Sequence, residues 1–206
     1  MLKPQEIRYG TDRGLVSSSE AFLSGDWRKS KLFVCYPNDL RIWVNGNAEE
    51  SWRVQHEGVA HDLPPFGWLA IGMDGFYECS ESIDGKRYDR AISPECIFVD
   101  GRGAWRDFDG IATSGCVAVR RAKESKGLSI ITIEDVDRLG IAKPGGTFTS
   151  DDVRATIGAV ARAKAIAVQA FDLSDKDLGE VAIQRTESGW ELKPPASTVR
   201  LDVAAK

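Results

Sequence analysis

Alternation of apolar and polar positions dominates the first half of the chain. The segment 32–36 is a short apolar run, and the segment 40–45 alternates with a period of two. Successive side chains of a strand point to opposite faces, so both segments are predicted strands. The segments 51–56 and 59–63 flank Glu57-Gly58 and predict a tight hairpin. Such turn signals recur about every ten residues, which is typical of a β-sandwich.

The alternation in the segment 40–45 also predicts which side chains face the core. Leu40, Ile42 and Val44 share one face, which we expect to be buried. Trp43 then faces outward beside Arg41 and Asn45. This interpretation makes Trp43 a candidate for contact with a ligand.

The pattern changes beyond residue 122. Strands are predicted at 128–133, 165–171, 180–185, 190–193 and 199–203. One short helix is predicted after Ser150, with Val153, Ile157 and Val160 on its apolar face. The chain is therefore predicted to be all-β and mainly antiparallel, with at most one short helix. We expect a β-sandwich over 1–122, and over 123–206 a smaller sandwich-like part or the completion of the first.

Charge and hydropathy exclude some partners. The chain has 206 residues and a formal net charge of -4, and its isoelectric point is near 5.3. Nucleic-acid binding needs clustered Lys and Arg, whereas the basic residues here are scattered, so we expect no nucleic-acid partner. No apolar stretch approaches the length of a membrane span, so a soluble protein is expected. Compartment and oligomeric state stay open.

The cysteines and histidines give little support for a metal site. Four cysteines are far apart and form no Cys-x-x-Cys pair. Buried reduced thiols are the favoured interpretation, and a disulfide between Cys79 and Cys96 is the alternative. His56 and His61 are five residues apart, whereas a zinc-binding helix needs a separation of four. They are better explained as hairpin residues that could be cross-strand neighbours, so no metal ligand is assigned.

Two carboxylate-rich segments, 107–110 and 172–177, suit either solvated turns or a structural calcium site. Neither segment completes a known calcium loop. Asp and Gly are also ordinary turn formers. We expect turns and no cofactor, with a structural calcium ion as the alternative.

Sugar binding needs an exposed aromatic face surrounded by planar polar side chains. Trp43 with Arg41 and Asn45 matches that description, and Trp105 with Arg102 matches it next best. Burial in a core or between domains is the alternative for each tryptophan, because an indole removes much apolar area from water. A glycosidase would need two converging carboxylates, and sequence spacing identifies no such pair. No catalytic residue is assigned.

Several short motifs carry a resemblance. They are Tyr36-Pro-Asn-Asp-Leu-Arg-Ile-Trp-Val-Asn45, Trp52-Arg-Val54, Leu63-Pro-Pro-Phe-Gly-Trp68, Ser93-Pro94 and Phe98-Val-Asp-Gly-Arg-Gly103. In this order they resemble the β-sandwich region that follows the catalytic barrel in bacterial glycoside-hydrolase-like proteins. The resemblance covers about half the chain and implies an accessory module whose partner is a catalytic barrel domain. Because the catalytic acids of such proteins lie in the barrel, no catalytic residue is transferred.

Three functions follow as hypotheses. The first is a non-catalytic, carbohydrate-associated β-sandwich module, accessory to a glycoside-hydrolase-type domain. The second is a protein–protein interaction or scaffold domain, in which the same tryptophans would bury against another chain, including a second copy of this one in an oligomer. The third is a small carbohydrate-active enzyme that acts alone.

Overall fold

A computed structural model describes residues 3–122, 127–133 and 136–206. These residues form two compact units, Met1–Asp89 and Arg90–Lys206. The sequence-predicted boundary near residue 122 falls inside the second unit. The all-β, mainly antiparallel, sandwich-like fold class is confirmed.

The first unit contains nine strands and one helix in its described part. They are β1 (Glu6–Thr11), β2 (Gly14–Ser17), α1 (Ser18–Ser24), β3 (Lys31–Cys35), β4 (Arg41–Asn45), β5 (Trp52–His56), β6 (Val59–Leu63), β7 (Trp68–Ile71), β8 (Tyr77–Ile83) and β9 (Lys86–Ile92), the last of which runs through the boundary. Short 3-10 helices cover Asp26–Lys29 and Met73–Gly75.

The strands of the first unit form an antiparallel sheet and a separate hairpin. The sheet order is β8-β7-β4-β3-β1-β2, and β5 pairs only with β6. Glu57 and Gly58 both have positive φ, as a tight hairpin turn of the predicted kind requires. The predicted hairpin is therefore confirmed. His61 pairs with Val54 rather than with His56, so the two histidines are not cross-strand neighbours.

The helix α1 is additional to the single helix that the sequence predicts. Ser17 and Glu20 form a capping box, in which each side chain accepts a hydrogen bond from the other residue's backbone N–H. Only Ala21 of this helix is buried. A seven-residue helix with one buried position leaves no apolar period of 3.6, which is why the pattern does not reveal it.

Where the structure describes it, the second unit combines two antiparallel sheets with one helix. Its elements are β10 (Cys96–Asp100), β11 (Arg106–Phe108), β12 (Ile111–Thr113), β13 (Cys116–Arg121), β14 (Leu128–Thr132), β15 (Leu139–Ala142), α2 (Val153–Arg162), β16 (Ile166–Phe171), β17 (Asp177–Glu180), β18 (Ala182–Arg185), β19 (Gly189–Lys193) and β20 (Arg200–Ala205). One sheet has the order β17-β16-β20-β14-β13-β10, and the other β11-β12-β15-β19-β18.

The helix α2 packs on strands of both sheets of the second unit. Val153, Ile157 and Val160 are fully buried, as the predicted apolar face requires. The helix begins two residues later than expected from Ser150. Asp152 is its N-cap, and its carboxylate accepts a hydrogen bond from the Arg154 backbone N–H at 2.8 Å.

All four cysteines are free thiols. Cys79 and Cys116 are buried, as small apolar side chains of a β core often are. The alternative of a disulfide between Cys79 and Cys96 is not formed. Within the described ranges, no helix is long and apolar enough to cross a membrane.

Candidate functional site

Trp43 faces the core, so the prediction that it faces outward is wrong. Its side chain is only 5% exposed, whereas Val44 on the opposite face of β4 is 37% exposed. The Trp43 ring lies 5.0 Å from the Phe33 ring and 5.5 Å from the His56 ring, measured between centroids. Burying an indole removes more apolar area from water than burying Val44, which decides the orientation of the strand.

Asn45 lies on the same buried face and is fully enclosed. Its amide nitrogen is 2.8 Å from the carbonyl oxygen of Glu50 and 3.0 Å from those of Leu63 and Pro64. Its carbonyl oxygen accepts a hydrogen bond from the Asn47 backbone N–H. These bonds join the loop after β4 to the end of β6. Asn45, which the sequence predicts as a binding residue, therefore has a structural role.

Arg41 lies at the other end of β4 from Asn45. Its guanidinium is 3.1 Å from the carboxylate of Asp39, in the turn that precedes the strand. The structure therefore does not bring Arg41 and Asn45 together around Trp43.

A cleft of about 290 Å³ opens in the first unit, and Trp43 forms part of its wall. The turn between β1 and β2, the middle of β4 and the strand β5 supply its lining. The lining residues are Thr11, Asp12, Gly14, Leu15, Trp43, Trp52, Arg53, Val54 and Gln55. Ligand sites of small molecules start at about 300 Å³, so the cleft has room for one sugar ring.

The apolar side of the cleft depends on a glycine in β1. A Cβ atom on Gly10 would lie 2.5 Å from Cζ2 of Trp52, closer than real atoms approach. Glycine at this position therefore lets the Trp52 indole lie directly on the backbone of β1. The cleft consequently has two indoles, those of Trp43 and Trp52, in its wall.

The polar side follows from the alternation along β5. Trp52 and Val54 are buried, whereas Arg53 and Gln55 are exposed. Asp12 adds a carboxylate from the turn after β1, and its Oδ2 lies 3.1 Å from Nζ of Lys29. The lining thus combines two nearly buried indoles, those of Trp43 (5% exposed) and Trp52 (9% exposed), with an exposed guanidinium and an exposed primary amide. The fully exposed aromatic face that the sequence predicts at Trp43 is absent from this cleft.

A buried polar network joins β6 to β8. Oε1 of Glu81 accepts a hydrogen bond from the Tyr77 hydroxyl at 2.6 Å and lies 3.0 Å from Nδ1 of His61. Oε2 accepts a hydrogen bond from the Tyr88 hydroxyl at 3.0 Å. Burial is the largest influence on the Glu81 carboxyl and raises its pKa, but the bonds from His61 and the two tyrosines outweigh it. The pKa of Glu81 is therefore below its usual value.

This network fastens one wall of the cleft. His61 in β6 is the register partner of Val54 in β5, and Val54 lines the cleft. The contact between His61 and Glu81 therefore ties the β5–β6 hairpin to β8 of the sheet. His61 and Glu81 are twenty residues apart in the sequence, and no local pattern indicates that their side chains come into contact.

The second predicted sugar-binding group lies in the second unit. Trp105 is 39% exposed. The Arg138 guanidinium carbon lies 3.6 Å from the centroid of the Trp105 ring, and Arg138 also lies 3.9 Å from a carboxylate oxygen of Glu191. The indole extends over Gly140, where a Cβ atom would lie 3.5 Å from its Cζ2. Trp105 is therefore exposed as predicted, but Arg138 stacks on it.

Arg102 occupies the turn before Trp105 and is exposed, with φ of 47°. Its backbone N–H donates to Oδ1 of Asp100 at 2.8 Å. Arg138, which contacts Trp105, was not predicted because it lies 33 positions along the chain. Arg138 comes directly before β15, the strand whose Gly140 lies under the indole, and this places it beside Trp105.

The carboxylates of the segments 107–110 and 172–177, for which calcium binding was the alternative to turns, accept hydrogen bonds from backbone N–H groups in turns. Asp107 accepts a hydrogen bond from the Gly110 N–H, Asp172 from those of Ser174 and Lys176, and Asp177 from that of Gly179. Three or more His, Cys, Asp or Glu side chains suited to a metal ion do not group together anywhere in the described ranges.

A second depression, of about 300 Å³, lies in the second unit. It is lined by Thr132, Ile133, Asp172, Leu173, Ser174, Ser197, Thr198 and Val199. These residues include no aromatic ring on which a sugar could stack. The cleft with two indoles is therefore the better candidate site.

The comparisons with known proteins give no relative for this chain. No protein family, no curated protein and no solved structure matches it.

Proposed function

We propose that the chain is a non-catalytic carbohydrate-binding module and that the cleft of the first unit holds the sugar. The observation that supports this is the pairing of Trp43 and Trp52 with Arg53 and Gln55 around about 290 Å³. The accessible parts of the two indoles offer apolar contact to the C–H groups of a pyranose ring, while Arg53 and Gln55 offer hydrogen bonds to its hydroxyls. The resemblance to the region that follows a glycoside-hydrolase barrel supports an accessory role.

The charges of the cleft favour binding over hydrolysis. Asp12 is the only carboxylate among the residues that line it. Glycoside hydrolysis uses two carboxylates that flank the scissile bond, about 5 to 9.5 Å apart. A chain that binds a sugar next to a single carboxylate suits a role beside a separate catalytic domain.

Isothermal titration against a panel of oligosaccharides, preceded by a glycan array, tests the proposal. Gln55→Ala removes one polar contact from an exposed position and should weaken binding several-fold without loss of the fold. Trp27→Ala is the matched control, since Trp27 is half-exposed and does not line the cleft. Failure to bind any glycan, or equal weakening by both variants, would contradict the assignment of the site.

An interaction domain is the second candidate because of one exposed apolar group. Phe22 and Leu23 of α1 are 73% and 86% exposed, and Trp27 follows them. Adjacent exposed apolar side chains often mark a protein-binding surface. Light scattering of the wild type and of a Phe22→Ser, Leu23→Ser double variant checks it: a monomer in both cases removes self-association from consideration.

A further inference from the structure

Two charged side chains line the cleft, and one of them already has a partner in an ion pair. Asp12 and Arg53 are the only charged residues in its lining. Nζ of Lys29 lies 3.1 Å from Asp12 and 3.2 Å from Asp26. The hydrogen bonds to Asp12 and Asp26 raise the pKa of Lys29, so Lys29 stays protonated beside them. The carboxylate of Asp12 is thus ion-paired with Lys29, which does not line the cleft.

Arg53 has no such partner in the part of the chain that the structure describes. Asp62 is its register neighbour on β6, yet the two side chains form no ion pair within 4.0 Å. Arg53 is exposed and lines the cleft beside Trp52. Its guanidinium is therefore available to a ligand in the cleft.

A guanidinium recognises a carboxylate through two parallel N–H···O bonds, and such charge-assisted pairs are stronger than neutral hydrogen bonds. We propose that the cleft selects acidic saccharides and that Arg53 binds the carboxylate of a uronic acid residue. This inference rests on the proposed function. The sugar ring packs against the wall of the cleft that Trp52 helps to form, and the Gln55 amide bonds to its hydroxyls. A neutral sugar would leave Arg53 without a charged partner and would bind more weakly.

Titration calorimetry with a tri-uronide, the matched neutral trisaccharide and a sulfated trisaccharide tests the proposal, each at low and high salt. We expect the uronide to bind about ten- to a hundredfold more tightly than the neutral sugar. High salt should reduce that preference because charges at exposed sites are screened.

Variants of Arg53 separate charge from geometry. Arg53→Gln should weaken binding of the uronide much more than binding of the neutral sugar, and so remove the preference for the uronide. Arg53→Lys keeps the charge without the planar fork, so it should retain part of the preference. Arg13→Gln is the matched control, because Arg13 is an exposed arginine in the turn between β1 and β2 and does not line the cleft.

The outcomes distinguish this inference from the function beneath it. Equal affinity for uronide and neutral sugar, or equal effects of Arg53→Gln and Arg13→Gln, would overturn the acidic specificity while carbohydrate binding stands. Tighter binding of the sulfated sugar would overturn the carboxylate assignment. Failure of all three sugars to bind would overturn the proposed function as well. Circular dichroism of each variant confirms that its fold is intact.

Discussion

At the scale of single residues, the size of a side chain decides which face of a strand is buried when the alternation of apolar and polar positions does not. A strand with a period of two has two faces, and in β4 both faces carry apolar side chains. The sequence could therefore predict that Ile42 and Trp43 point in opposite directions but not which one is buried. The larger side chain takes the core position, and Asn45 follows it inside.

Replacement of Trp43 should be costly. We expect Trp43→Ala to lower the free energy of unfolding by about 3 to 5 kcal/mol, because it leaves a cavity in a buried position. Val44→Ala, on the exposed face of the same strand, is the control. Urea unfolding of both variants measures the difference, and a similar loss for each would contradict the observed orientation.

The Glu81 network should make stability depend on acid. The pKa of Glu81 is lowered from its usual 4.5 in the folded chain. Its contribution to stability is therefore complete above pH 4.5 and is lost as the pH falls through the folded pKa. At pH 7 we expect Glu81→Gln to cost roughly 1 to 3 kcal/mol, since buried hydroxyl donors lose a charged acceptor.

Thermal unfolding of the wild type and of Glu81→Gln between pH 7 and pH 3 measures this dependence. The difference between them should shrink below pH 4.5. Glu78→Gln is the control, because Glu78 points to the opposite face of β8 and takes no part in the network. An unchanged difference at pH 3 would show that the charge of Glu81 does not contribute.

At the scale of elements, turn chemistry was the most reliable guide. Glu57-Gly58 predicted the β5–β6 hairpin within one residue of its observed bounds, since a turn with two positive φ values accepts few residue pairs. The predicted single strand over 180–185 is instead the end of β17 and the whole of β18. The helix α1 has no apolar period of 3.6 residues, so the sequence pattern does not predict it. A short helix that is stabilised mainly by its N-cap gives no periodic signal.

Gly10 should show how closely two elements can pack. Gly10→Ala would place a Cβ atom 2.5 Å from the Trp52 indole, so the β5–β6 hairpin must move away from β1. We expect a loss of about 1 to 3 kcal/mol from overpacking, together with weaker saccharide binding. Gly58→Ala is not a suitable control, because Gly58 has φ of 82°. Gly145→Ala is, because nothing lies within 4 Å of its added methyl group.

At the scale of the whole molecule, the class of fold was predictable and the site was not. Alternation and turns act over a few residues, and they suffice for an antiparallel all-β assignment. The cleft draws on 11–15, 43 and 52–55, which come together only through the pairing of distant strands. The sequence predicts Trp43 as an outward ring, which is wrong, and it names Arg53 only within the motif Trp52-Arg-Val54 and not as a binding residue.

The secondary structure of the purified chain offers the broadest check. Far-ultraviolet circular dichroism should show a strand-dominated spectrum, with a small contribution from α1 and α2. The fraction of helix should not rise when the Arg53 variants are compared with the wild type. A helix-dominated spectrum would contradict the fold itself.

The two indoles of the cleft provide a built-in optical reporter. Trp43 and Trp52 are two of the six tryptophans of the chain, and both border the same space. A ring seated there would change the surroundings of both indoles and hence their emission, while the surroundings of the half-exposed Trp27 would stay the same. Occupancy of the cleft can thus be followed by the emission of the unlabelled protein.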